Sequence, residues 1–376
     1  MKKFLAVMLS LVMVLSMAGC GSKESASEGG AEGKPYKVAL VIAGVLGDKS
    51  FYDSANEGLT KLKDELGAEK FDFKVEQMGG GSADQANWEP TILDYCESGE
   101  YDLIITGSWQ MADPLSSAAN TYKDQKFIYF DETYDFEGYG NNENIYNVLF
   151  KQNEVSYLAG ALAGLMTKTE GIDGINASDN VISVLGGQDG IVINDFIVGY
   201  IQGAKDVNPD IKVATSYVGN FDDAAKGKDL ALSMFNAGSD IGFCVAGNAG
   251  NGQIEAAKET GKYAIGVDSD QAALLPDYAA NIPTSAVKNV GNALYTAIKE
   301  AMAGELAYGT TESFGLTDGG VELVKDAHYE EIVPEDIRKT IDELEQKVIK
   351  GEIKVNSALT MSGDEVNALK DSVAVQ

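Results

Sequence analysis

The sequence predicts an α/β protein made of two doubly wound parallel-sheet lobes joined by crossover hinge strands. Short β-rich runs alternate with helical patterns almost to the end of the 376 residues, the order expected of parallel sheets with helices on their faces. That alternation begins afresh at Lys151, after the first set of strands. About 340 residues follow Lys34, more than one hydrophobic core usually holds.

The first residues lie outside this pattern. Met1-Lys2-Lys3, an apolar run from Phe4 to Met17 and the small residues Ala18-Gly19 form a secretory signal over residues 1–19, too short to span a bilayer. Cys20 follows "MAG" as in a bacterial lipobox, with Met17 where Leu is usual, and is expected to be the lipidated first residue of the mature chain. Residues 20–35, rich in Ser, Gly and Glu, cannot bury a core and should form a flexible tether. The protein is therefore expected at the cell membrane, lipid-anchored, on the extracytoplasmic face.

In the first lobe, strands are expected at 38–43, 71–77, 103–106, 127–130 and 147–150, with helices at 54–66, 88–98 and 114–122. The Ala/Gly-rich stretch 151–168 is an amphipathic helix that opens the second lobe. Strands follow at 181–185, 212–218, 241–246 and 263–267, with helices near 194–207, 224–237 and 253–260. A strand at 284–287 feeds a helix at 290–303 that returns to the first lobe. The predicted lobes are therefore 36–150 plus 289–314 and 151–288 plus 315–376, with several crossings between them, the build of a cleft that closes on a ligand. The charged run 334–353 reads as a solvated surface helix.

Composition excludes several functions. Lys and Arg number 29 against 58 Asp and Glu, a formal charge of −29, which opposes nucleic acid as a partner. A single histidine, His328, far from any nucleophile, leaves no basis for a Ser-His-Asp hydrolase or a His-rich metal site. No P-loop motif is present, no cofactor is expected, and "GNAGNG" at 247–252 is only loosely glycine-spaced. Cys96 and Cys244 read as unpaired core thiols.

A polar or aromatic cluster recurs at the carboxyl end of each strand, where open parallel sheets bind ligands. Asp48 and Phe51 follow the first strand, Trp109 follows "LIIT", and Asp131 follows "FIYF". In the second lobe Phe221, then Gly247 and Asn248, then Asp268 close successive strands, and Lys288 follows the hinge strand. Aromatic rings from opposite lobes could sandwich a flat ring, and carboxylates could accept hydrogen bonds from ring N–H or sugar hydroxyl groups. Each residue also has a structural reading: Phe51, Phe221 and Trp109 as core, Asp48 and Asp131 as helix N-caps, Lys288 as partner of a surface acid.

Taken in order, "GDKSFYDSANEGL", "FKQNEVSYLAGALAG", "VNPDIKVATSYVGNFDDAAKGKDLA", "VAGNAGNGQIEAAKE", "YAIGVDSDQ" and "TSAVKNVGNALYTAIKEAM" resemble the basic-membrane-protein lipoproteins. These are purine-nucleoside-binding substrate-binding proteins of ABC transporters with a periplasmic-binding type I fold. The resemblance runs from about Lys37 to Gly320. It implies an ABC permease and ATPase as partners, no catalysis, and a nucleoside held between the lobes. The base would stack between Phe51 and Phe221 with Asp48 and Asp131 near its edge, and the ribose would meet Gly247, Asp268 and Lys288. Two departures bear on base preference: Tyr52 stands where the family commonly has Asn, and Asn56 where an aromatic is frequent. The segment "GGQDGIVINDFIVGY" also lacks the family's usual Pro and Arg-rich helix entry. Competing readings are a sensory lipoprotein of the same fold, a binder of another flat or sugar-like ligand such as riboflavin, and a nucleoside hydrolase. The acidic cleft, with no Arg-rich anion site, favours a nucleoside over a nucleotide.

Overall fold

The computed structural model describes residues 34–375; the predicted signal, Cys20 and most of the tether lie outside the described residues. Apolar runs that read as strands from sequence do form strands, because a parallel sheet covered on both faces must be apolar on both. The first sheet takes β1 (Tyr36–Ile42), β2 (Phe71–Gln77), β3 (Leu103–Gly107), β4 (Lys126–Phe130) and β5 (Ile145–Phe150). The second takes β6 (Val181–Gly186), β7 (Lys212–Tyr217), β8 (Ser239–Val245), β9 (Tyr263–Asp268) and β10 (Ser285–Lys288). Two further strands, β11 (Thr310–Phe314) and β12 (Val321–Leu323), cross over in turn: β11 joins the edge of the first sheet beside β5, and β12 the edge of the second beside β10.

The strand orders are β11-β5-β4-β3-β1-β2 and β12-β10-β9-β8-β6-β7. All pairings are parallel except β10 with β12. In each sheet the order reverses beside the first strand, at β3-β1-β2 and β8-β6-β7. Those reversals open the crevices at the strands' carboxyl ends where doubly wound sheets take ligands.

The helices are α1 (Phe51–Leu66), α2 (Gln85–Ser98), α3 (Ala112–Thr121), α4 (Gln152–Met166), α5 (Ile191–Val207), α6 (Ala224–Asn236), α7 (Asn248–Thr260), α8 (Gln271–Leu274), α9 (Val290–Ala303), α10 (Ala327–Ile332), α11 (Glu335–Ile349) and α12 (Gly363–Ser372). Helix α9 packs on α1 at backbone distance: a Cβ on Gly58 would lie 2.1 Å from the carbonyl oxygen of Gly291. Cys96 and Cys244 are buried and free, and burial pushes the Cys96 thiol up to about 12.

Two sequence expectations need correction. The run 334–353 is not only a solvated face, because α11 buries Ile337, Ile341 and Val348 and packs on α4. Its many charges conceal a narrow apolar stripe at helical spacing. The helix expected at 253–260 begins earlier, since α7 starts at Asn248 within "GNAGNG". Its glycines admit a neighbouring helix: a Cβ on Gly252 would lie 2.1 Å from the carbonyl oxygen of Ala224 in α6.

Candidate functional site

The carboxyl ends of β1, β3, β4, β6, β8, β9 and β10 face a single cavity of about 570 Å³, within the range of small-molecule sites. Asp48, Phe51, Trp109 and Asp131 line it from the first sheet; Phe221, Gly247, Asn248, Asp268 and Lys288 line it from the second. Three non-glycine residues on its wall hold positive φ: Ser108 at 69°, Asp131 at 69° and Asp268 at 62°. Such strain persists only where the surroundings over-determine it, and it concentrates at functional sites.

At the β1 end, Gly47 at φ 101° lets the chain turn back toward α1. The Asp48 carboxylate then accepts hydrogen bonds from three backbone N–H groups of the helix entry, those of Ser50 at 3.0 Å, Tyr52 at 2.9 Å and Asp53 at 3.2 Å. Asp48 thus serves the capping role, while still lining the cavity. Burial pushes its carboxyl up to about 6, with those three bonds opposing the shift. Phe51, the first residue of α1, packs against Phe130 with ring centroids 5.4 Å apart and leaves part of its surface open. The ring of Tyr52 lies against Gly44, where a Cβ would meet it at 2.3 Å, and its hydroxyl donates to the carbonyl of Ala43 at 3.2 Å.

Asp131 does not cap a helix. Its carboxylate receives Lys288 Nζ at 2.5 Å, and the same ammonium lies 3.7 Å from Asp268 Oδ1. Lys288 is itself buried, with its Nζ 4.8 Å from the centroid of Phe51 and 5.2 Å from that of Phe196. Burial works against the ammonium, but the Asp131 and Asp268 carboxylates outweigh it and hold Lys288 above its ordinary range. Its partners are therefore cavity-lining acids at the ends of β4 and β9, one from each sheet, not a surface acid.

Asp268, at the last position of β9, accepts a hydrogen bond from the Ser50 hydroxyl at 2.5 Å through Oδ2, while its Oδ1 has no hydrogen-bond partner although the residue is only 6% exposed. More bonds join this corner to the α1 entry: Ser269 Oγ donates to the carbonyl of Ser50 at 3.3 Å, and Asn251 Nδ2 to that of Asp48 at 3.3 Å. On the facing side, the Phe221 ring lies over Gly187, where a Cβ would meet it at 2.2 Å. Asn248 Nδ2 donates to the carbonyl of Asp222 at 2.9 Å and the Ala249 N–H to that of Phe221 at 2.9 Å, so Gly247 and Asn248 fix the turn that carries Phe221. Trp109 is no core residue. It sits on a single 3₁₀ turn, 51% exposed, and lines the cavity together with the exposed Val45 and Ile191.

Sequence reasoning passed over Ser50, Phe196, Glu132 and Asp222, all of which border the cavity or hold its walls. Ser50 lies within the first quoted motif, but its partner is 218 residues away. Phe196 faces the cavity from the first turns of α5, in the segment that departs from the family pattern. Among the described residues no group of His, Cys, Asp and Glu side chains could hold a metal ion.

A family model described as "ABC transporter substrate-binding protein PnrA-like" (Bmp) matches residues 36–358. The chain belongs to the Bmp family. Among its relatives, basic membrane protein A of Borreliella burgdorferi is 33% identical over 359 residues, covering 95% of this chain and 96% of that protein. The ABC transporter nucleoside-binding protein BmpA of Lactococcus lactis is 30% identical over 373 residues, covering 95% and 99%. A solved ABC transporter solute-binding protein from Aeropyrum pernix superposes with a TM-score of 0.77 at 26% identity, over 91% of this chain and all of that one. The protein is thus an ABC transporter substrate-binding protein with the periplasmic-binding type I fold. Membership of the Bmp family implies a small-molecule ligand and permease and ATPase partners. No described helix is long and apolar enough to cross a membrane.

Proposed function

We propose that this protein binds a purine nucleoside between its two halves and delivers it to an ABC importer, without catalysis, from a lipid anchor at Cys20 on the extracytoplasmic face. The base stacks between Phe51 and Phe221, and the ribose hydroxyls meet Asp268 and Lys288. The observation that carries this reading is Asp268: a buried carboxylate with one oxygen held by Ser50 and the other, Oδ1, without a hydrogen-bond partner. A buried acceptor left unpaired costs on the order of 1–3 kcal/mol, and a ligand hydroxyl would recover it. The nucleoside-binding description of the Lactococcus lactis relative supports the same ligand class. The halves, 36–150 plus 289–314 and 151–288 plus 315–376, would close about the segments near Phe150, Asp268 to Lys288 and Gly315.

Mass spectrometry of the ligand released from the purified protein tests this directly. A nucleoside supports it; a free sugar or a flavin sinks it. Replacing Cys20 by Ser should free the protein from the membrane with affinity unchanged, and retention of that variant would refute the anchor.

A further inference from the structure

The charge of the cavity is one-sided. Six carboxylates line it, those of Asp48, Asp131, Glu132, Asp189, Asp222 and Asp268, against one ammonium, that of Lys288. That ammonium is already committed, 2.5 Å from Asp131 and 3.7 Å from Asp268. Asp48 is spent on the α1 entry. Carboxylates remain in excess on the wall, although Asp189 also has the Lys370 ammonium at 3.8 Å. Asp268 Oδ1 is buried and without a hydrogen-bond partner. Asp222 reaches over from the second sheet until its Oδ2 lies 3.2 Å from where a Cβ on Gly80 would stand, on the first. Glu132 adds a further carboxylate next to Asp131 in the chain, its carboxyl pushed up chiefly by burial, with the Thr133 N–H opposing the shift and Asp131 adding to it. The rings of Tyr52, Trp109, Phe196 and Phe221 share the wall, and aromatic faces attract cations.

Resting on the nucleoside reading above, we propose that the cavity selects nucleosides whose base carries a positive charge, such as N-methylated cationic purines, over their neutral isosteres. A neutral base leaves the carboxylates repelling one another across a space from which the ligand has expelled water. A cationic base relieves that repulsion where screening is weakest. The same field turns away phosphate esters.

The test is calorimetry on the intact protein with 1-methyladenosine, cationic at neutral pH, and 1-methylinosine, its neutral counterpart of the same shape, beside unmodified adenosine. The cationic nucleoside should bind about tenfold tighter or more than the neutral one, and the ratio should shrink as salt is added. Asp222→Asn should narrow the ratio. Equal affinities, tighter binding of 1-methylinosine, or rejection of both methylated nucleosides while adenosine binds would overturn the charge preference and leave the nucleoside reading standing. Failure of all three to bind would remove that reading and this inference with it.

Discussion

Asp48 and Asp268 both line the cavity beyond strands whose carboxyl ends face it, Asp268 as the last residue of β9 and Asp48 in the connection from β1 to α1, and they are equally hidden, 7% and 6% exposed. Their hydrogen bonding differs. Asp48 gathers three backbone N–H groups and thereby fixes the start of α1. Asp268 gathers one hydroxyl and leaves Oδ1 without a hydrogen bond, 3.7 Å from the Lys288 ammonium. A buried carboxylate beside a cavity is therefore not in itself a sign of binding. The unfilled acceptor is, because a folded chain rarely leaves one without a partner.

The largest effect that separates the two acids is on affinity. Asp268→Asn keeps the shape and tolerates the left-handed backbone at φ 62°, yet removes the charge that strengthens hydrogen bonds from the ribose. Each charge-assisted bond is worth roughly 1.5–3 kcal/mol, so nucleoside affinity should fall by about 10- to 100-fold. Loss of the 2′-hydroxyl should reproduce part of this in the unmodified protein and much less in the variant. Additive penalties in calorimetry on the four combinations would place Asp268 away from the ribose.

Asp48→Ala should act on stability instead. Removing a cap of this kind costs about 1–2 kcal/mol, which lowers the melting temperature by roughly 2–5 °C in a chain of this size, with affinity for the same nucleoside changed by less than about threefold. A loss of affinity larger than the loss of stability would show that Asp48 meets the ligand after all.

Acidity sharpens the contrast next. Burial sets the carboxyls of Asp48, Asp131 and Asp195 at about 6, above their value in the unfolded chain. The folded state then binds more protons than the unfolded state between about pH 4 and pH 6. The contribution is fully present below the lower value and is lost as pH rises through the upper one. Thermal melts of the ligand-free protein should accordingly show stability rising as pH falls from 7 to 5, and Asp48→Asn should flatten part of that rise. A stability that falls over the same interval would mean these carboxyls are ionised at little cost.

How much of this was legible in the sequence follows from what each residue depends on. The inner strands were readable because burial on both faces demands unbroken apolar runs such as Val38 to Ala43. The edge strand β11 was not: "TTESF" is largely exposed and owes its extended form to pairing with β5. The site's positions were readable from the rule that parallel strands present their carboxyl ends to ligand. What each side chain does there was less so. The choice between capping and binding at Asp48, and between surface and buried partners at Lys288, depends on contacts such as Lys288 with Asp131, 157 residues apart. No local pattern records a contact of that kind. Phe196 was hidden for another reason, since an aromatic in a helix reads equally well as core until the fold turns it toward the cavity.

The smallest expected effect concerns Trp109. Unlike Phe51, which packs on Phe130, Trp109 is 51% exposed at the cavity mouth on a turn of three residues. Replacing it by Ala removes little packing, so the stability of the ligand-free protein should change by no more than about 0.5 kcal/mol. A ring that shares its surface with water also gains only part of a stacking contact, and affinity for a nucleoside should weaken by about threefold or less. Phe221→Ala, tested in parallel, should cost on the order of 1–3 kcal/mol of binding if it carries one face of the base. If Trp109→Ala proves the costlier of the two, the base lies against the mouth of the cleft and not between Phe51 and Phe221.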